Sequence, residues 1–155
     1  MTDMLVRLYD LPPQMTLEET TVDLRRGLAP EKHLVLPWVA QHFSEYWRSE
    51  CDVAFSRQPV SCFLAIEAGQ LLGFACYDTT MRGFFGPTGV LEAARGRQIG
   101  KALLLACLHD MRAQGYGYAI IGGVGPIEFY AKAVGATVIE NSTPGIYRGL
   151  LRVTP

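Results

Sequence analysis

Residues 94–105 read ARGRQIGKALLL, and the reading of this stretch decides the fold. Arg95, Gly96, Arg97, Gln98, Ile99 and Gly100 make a short basic loop, and the spacing after it predicts a helix from about Gln98 to Gln114. Lys101, His109 and Arg112 fall within a sector of about 80° at 100° per residue. Most other positions of that helix are apolar, so it is expected to be largely buried. The first turn of a helix carries N–H groups without intrahelical partners and the positive end of the helix dipole, an arrangement that binds phosphate. Gly100 would let a ligand approach the backbone, and Arg95, Arg97 and Lys101 would add charge-assisted contacts.

Working outward, residues 83–91 (GFFGPTGVL) read as a strand. Its Pro87 and glycines are unusual for a central strand and suggest a bulge or a splayed edge. Ser61 to Ile66 and Leu71 to Tyr77 predict a hairpin around residues 67–70. Nearer the start, Met4 to Tyr9 alternates apolar and polar as a half-buried strand does. Thr16 and Glu19 have capping-box spacing, which predicts a short helix carrying Leu17, Leu24 and Leu28 and stopped by Gly27. Pro37 suits the first turn of a second helix, with Val39, Phe43, Tyr46, Trp47 and Ala54 on its buried stripe.

Downstream, Tyr116 to Ile121 is expected as a strand and residues 122–125 as a turn. Pro126 opens a short helix that Gly135 stops. Thr137 to Glu140 and Ile146 to Val153 are expected as two final strands. The order is βααβββαβαββ, a single mixed α/β domain without internal repeats or linkers.

The 155 residues suffice for one core, and an apolar fraction of 49% fits a packed globule. A formal net charge of -1 argues against a nucleic-acid surface. Cys51, Cys62, Cys76 and Cys107 form no C-x-x-C pair and sit in apolar stretches, as buried thiols in a reducing compartment do. Neither they nor His33, His42 and His109 have metal-site spacing, so no metal is expected. The longest apolar run, Ala102 to Leu108, is too short for a membrane span, and the first residues lack a signal-peptide pattern. A soluble cytoplasmic chain is the expectation.

Several designs hold phosphate this way. A nucleoside-triphosphate loop needs G-x-x-x-x-G-K followed by Ser or Thr. Here Gly96 and Gly100 are one residue too close, and Ala102 offers no hydroxyl. A dinucleotide fingerprint fails at Glu128, where the pattern from Gly123 and Gly125 requires a small residue. The stretch VLEAARGRQIGKALL instead resembles the acyl-CoA diphosphate loop of the GCN5-related N-acetyltransferase (GNAT) family. Arg95 stands at the first position of that motif and Gly100 at the last, while Gln98 replaces its middle glycine. A second stretch, GPIEFYAKAVGA, resembles the family's later element through Phe129, Tyr130, Lys132, Gly135 and Ala136. Gly123 stands where the family often has asparagine.

The resemblance implies a GNAT-like, mostly antiparallel twisted sheet with helices on both faces, spanning residues 1–155 as one acyl-CoA N-acyltransferase domain. It implies acetyl-CoA as co-substrate and a primary amine, on a small molecule or a protein, as acceptor. The cofactor-binding residues it implies are Gly89, Val90, Leu91, Arg95, Gly96 and Arg97. To these it adds Gln98, Ile99, Gly100, Lys101 and Ala102 of the loop and helix, and Phe129 and Lys132 of the later element. Tyr130 is the residue implied to help the leaving thiolate. In relatives that modify histone lysines a carboxylate on the preceding strand serves as base; here that position falls near Phe84. Asp78, Glu128 or a water chain remain for that role, and Glu45, Asp78 or Glu140 could meet a cationic amine. The two early helices, residues 77–82 and residues 141–147 would wall the acceptor site. A non-catalytic CoA-binding module and a longer acyl donor stay open as alternatives, and a homodimer through the last strands would follow family habit.

Overall fold

The computed structural model describes residues 1–17 and 20–153. One seven-stranded sheet organises the chain in the order β2-β3-β4-β5-β6-β1-β7. Its strands are β1 (Asp3–Arg7), β2 (Val22–Arg26), β3 (Cys62–Glu67), β4 (Gln70–Tyr77), β5 (Phe84–Val90), β6 (Tyr118–Ile121) and β7 (Thr137–Ile139). Four helices accompany it: α1 (Lys32–His42), α2 (Glu45–Phe55), α3 (Ile99–Ala113) and α4 (Ile127–Val134). All neighbours pair antiparallel except β5 and β6, which the α3 crossover makes parallel. No helix among the described residues is long and apolar enough to cross a membrane.

The expected hairpin forms at β3–β4. Ala68 (φ 49°) and Gly69 (φ 74°) both take positive φ, the two-residue turn that matches strand twist. Successive residues of β4 then face opposite sides. Phe74 and Cys76 join α1 and α2 in one core, while Ala75 and Tyr77 join α3 and α4 in the other. Helix α3 runs as predicted, with Ile99, Ala102 to Leu108 and Met111 all buried. Gly135 (φ 65°) caps α4 in the left-handed conformation, also as expected. All four cysteines are free and buried.

The element order departs from expectation at three places. The predicted first helix is instead β2 over Val22–Arg26, held by five register pairs with β3. The proposed cap residue Glu19 lies outside the described residues. The alternation of Val22 and Leu24 with Asp23 and Arg25, after the β-branched pair Thr20-Thr21, favours a strand. Gly27 stops no helix: its N–H donates to the Cys62 carbonyl (2.8 Å), and a Cβ there would stand 2.9 Å from the Phe55 ring.

The single helix expected after Pro37 is two. Pro37 lies inside α1, and Ser44 starts α2 by accepting a hydrogen bond from the Trp47 N–H (3.1 Å). Finally, Ile146 to Val153 is not a strand. Gly145 (φ 59°) and Gly149 (φ 75°) break the extended course, and Gly145–Tyr147 makes a 3-10 turn. The place between β6 and β7 is taken by β1, whose Met4 faces both Ile121 and Val138.

Candidate active site

β5 carries the feature that opens a site. Ala75 pairs with Thr88 and Tyr77 with Phe85, so β5 holds one more residue than β4 between these pairs, a bulge at Gly86-Pro87. On its other edge β5 pairs with β6 only at Phe84↔Ile120 and Phe85↔Ile121. Beyond that fork the two strands part, and residues 86–90 offer that edge of their backbone to no strand. The expected splay is present.

The far end of β5 leads to the mouth of α3. The Leu91 N–H closes the strand on the Leu72 carbonyl (2.8 Å), and a 3-10 turn at Glu92–Ala94 redirects the chain. Gly96 (φ 81°) and Gln98 (φ 65°, ψ 10°) both take left-handed backbone, and no side chain caps the helix. Gln98 stands at a conformation that glycine adopts without steric cost. The Ala102 N–H already bonds the Gln98 carbonyl (3.0 Å), which leaves the N–H groups of Ile99, Gly100 and Lys101 as the open ones. A Cβ on Gly96 would meet nothing within 4 Å, and one on Gly100 only Val90 at 3.8 Å, so there is room for a bulky anion.

The cations around this mouth are partly engaged. Arg97 pairs bidentately with Glu67 (2.6 and 3.1 Å), and the Arg95 Nε lies 3.4 Å from the Val90 carbonyl. Arg97, and then Thr21, hold the Glu67 carboxyl down at about 2. Of the other expected ligand contacts, Ile99 and Ala102 point into the core. Gly89 serves packing, since a Cβ there would stand 2.4 Å from the Phe43 ring. Val90 and Leu91 are half-buried beside the mouth. Phe129 and Lys132 lie on the exposed side of α4.

Tyr130 lies on the buried side of α4, its ring 6.4 Å from Phe85 and 5.0 Å from Phe129. Burial pushes its hydroxyl up to about 12, so it stays protonated at neutral pH. Phe84, one residue before Phe85, faces the opposite side of the sheet. A Cβ on Gly122, just past the fork, would meet Phe84 at 3.0 Å and the Tyr147 hydroxyl at 3.3 Å. The fork therefore has two faces, one with Phe85 and Tyr130, the other with Phe84 and Tyr147.

Glu50 joins the second face by accepting a hydrogen bond from the Thr80 hydroxyl. Burial raises its pKa, opposed by that bond and assisted by Cys51. Sequence reasoning missed this residue. The signal was its place on the stripe Trp47, Glu50, Cys51, Ala54, where a carboxylate is out of character.

The carboxylates singled out from sequence lie elsewhere or are engaged. The Asp78 side chain is fully enclosed and holds the Gly83 N–H (2.7 Å), the Tyr116 hydroxyl (2.7 Å) and Arg57 (3.6 Å). Glu45, Glu128 and Glu140 are exposed. Two hollows lie away from the fork, one of about 500 Å³ beside Pro30, Lys32 and Arg48, the other of about 280 Å³ beside Arg26, His109 and Asp110.

Similar architectures are known. A GCN5-related N-acetyltransferase from Sphaerobacter thermophilus superposes with a TM-score of 0.71 at 22% identity, over 89% of this chain and 48% of that one. A GCN5-related glucosamine N-acetyltransferase region of a fungal multi-domain GH3 beta-N-acetylglucosaminidase also gives 0.71, at 13% identity, over 89% of this chain and 19% of that one. The chain thus spans half or less of the length of either. A GNAT family acetyltransferase from Brucella melitensis, solved in complex with acetyl-CoA, gives 0.59 at 18% identity, over 76% of this chain and 86% of that one. At these identities the likeness is one of fold. No curated protein matches the sequence. The sequence model of the acetyltransferase (GNAT) family matches residues 22–136, from β2 through the end of α4. That match takes in the fork and the α3 mouth together, and the chain belongs to the acetyltransferase (GNAT) family.

Proposed function

We propose that the protein transfers an acetyl group from acetyl-CoA to a primary amine. One observation carries this reading: the unpaired half of β5 leads directly into an uncapped α3 mouth. A long ligand with an anionic head and an amide-bearing tail fits such a path. The free N–H groups of Ile99, Gly100 and Lys101 would hold the diphosphate, with Arg95 and Arg97 adding charge. The open edge of residues 86–90 would pair with the pantetheine amides as a further strand would. The thioester would then reach the fork.

At the fork, N–H groups of the bulged β5 would stabilise the oxyanion as the amine attacks. The C–N bond forms and the C–S bond breaks. Tyr130 would meet the departing sulfur. A phenol held up at about 12 is a weak acid beside a thiol of pKa near 8.5, so its part is to donate a hydrogen bond to the thiolate.

Titration calorimetry with acetyl-CoA, together with free-thiol release in the presence of amines, tests the reading. Tyr130→Phe is expected to lower kcat about tenfold or more while the affinity for acetyl-CoA holds. An unchanged kcat would remove Tyr130 from the mechanism. Binding of acetyl-CoA with no thiol release to any amine would make the chain a CoA-binding module instead.

A further inference from the structure

Glu50 stands apart from the other enclosed acids. Among the described residues, the carboxylates that are not exposed are Asp3, Glu31, Asp52, Glu67, Asp78, Asp110 and Glu50 itself. Glu31, Asp52, Glu67, Asp78 and Asp110 each face a lysine or arginine, and Asp3 accepts the Gly123 N–H (2.8 Å). Glu50 has the Thr80 hydroxyl alone, and no cation pairs with it among the described residues. A half-buried carboxyl with no cation beside it holds its proton more tightly than a solvated one, and an arriving cation would favour its charged form.

The surroundings say where that cation would sit. Thr80 comes from the β4–β5 connection, Tyr147 from the 3-10 turn after β7, and Glu50 from α2. Thr79, next to Thr80, donates its hydroxyl to the Gly86 carbonyl (2.9 Å), which sets the Glu50–Thr80 pair beside the β5 bulge, and burial first and then the Glu50 charge raise the Tyr147 hydroxyl. Tyr147 also lies over Gly122, just past the last β5–β6 pair. This space is on the Phe84 face of the fork, opposite Tyr130. The amine adds above the plane of the thioester carbonyl and the tetrahedral intermediate then expels the sulfur, so a base beside the amine and a hydrogen-bond donor beside the sulfur can stand on different faces of the fork.

We propose that Glu50 receives the acceptor as an ammonium ion on the Phe84 face of the fork and takes the proton that frees its lone pair. This rests on the reading of the chain as an amine acetyltransferase, and it names the substrate class as cationic primary amines. The step balances. The ammonium loses two protons on becoming an amide: one passes through Glu50 to solvent, and the other ends on the CoA sulfur as the C–S bond breaks. The enclosure that disfavours the Glu50 charge also makes it a better base than a solvated glutamate. The groups facing it are Thr80 and Tyr147, with Cys51 beside it on α2 and Asp3 beyond Tyr147.

The test compares wild type with Glu50→Gln, which keeps the shape and an acceptor for Thr80. Acetyl-CoA affinity is read by calorimetry, and thiol release is read with n-butylamine and with hydroxylamine, which is largely neutral at pH 7. Glu50→Gln is expected to bind acetyl-CoA as wild type does, to lose about a hundredfold in kcat/KM with n-butylamine, and to lose far less with hydroxylamine. Wild-type n-butylamine turnover should level off above the Glu50 titration, whereas the variant, dependent on the free amine fraction, should keep rising with pH through the alkaline range. Equal rates for wild type and variant, or equal losses with both nucleophiles, would overturn the role of Glu50, as would loss of acetyl-CoA binding in the variant. A wild type that binds no acetyl-CoA, or releases thiol to neither nucleophile, would overturn the acetyltransferase reading itself.

Discussion

At its far end β5 runs into the α3 mouth, where three backbone N–H groups and a pair of left-handed residues face open space. At its near end the same strand meets Glu50, Thr80 and Tyr147, side chains drawn from three separate elements. The first end is built from backbone and is contiguous in sequence. The second is built from side chains that only the fold gathers. A backbone site tolerates great variation in side chains but little in glycine, whereas a side-chain site fails with one carboxylate.

The contrast can be broken most severely at Gly100. Gly100→Asp would set a carboxylate against the diphosphate and should cost about 3 kcal/mol or more of CoA affinity. Its melting temperature should hardly move, because a Cβ there has only Val90 at 3.8 Å and an acid suits the first turn of a helix. Calorimetry beside a thermal melt reads both, and tight CoA binding by the variant would put the acyl-donor site elsewhere.

Gly89 should show the reverse pattern. Gly89→Ala pushes a methyl into the Phe43 ring, with an expected loss of about 1–3 kcal/mol in urea unfolding. A smaller residue at Phe43 should recover part of it. Were Gly89→Ala as stable as wild type, the glycine would have to be explained by ligand approach after all.

Milder changes sharpen the comparison. Gln98→Gly relieves a left-handed side-chain residue and should add about 0.5–1 kcal/mol of stability, visible as a higher urea midpoint. Glu67→Gln frees Arg97 and should tighten CoA about two- to threefold, the scale of an exposed ion pair. Because the Glu67 pKa is depressed to about 2, the pair persists above that value and dissolves only as pH falls through it. The gain on substitution should therefore be level from pH 5 to 8, and a gain that faded with pH across that range would point to another group.

What was legible in the sequence follows the same division. The hairpin at Ala68-Gly69, the buried stripe of α3 and the glycine cap of α4 are local patterns, and each element formed close to where its residues predicted. The α3 loop was legible for the same reason. β2 was misread because leucines at positions 17, 24 and 28 imitate a helical period, while its strand character depends on five pairs with β3 some forty residues away. The break between α1 and α2 was readable in principle, since Ser44 precedes Trp47 at cap spacing. Glu50, Thr80 and Tyr147 share no spacing at all. Their meeting depends on how α2 packs on the sheet and on a turn that replaced an expected strand.

The position of β1 has a bearing on how the molecule is made. This strand precedes the other six in sequence, yet both of its partners, β6 and β7, lie in the last third of the 155 residues. The β3–β4 hairpin and α3 can settle early, because their contacts are close in sequence. Asp3 to Arg7 can take their place in the sheet only once the strands on either side of them have been synthesised. Bulky groups fused ahead of Asp3 should therefore slow the closing of the sheet far more than they disturb the finished fold.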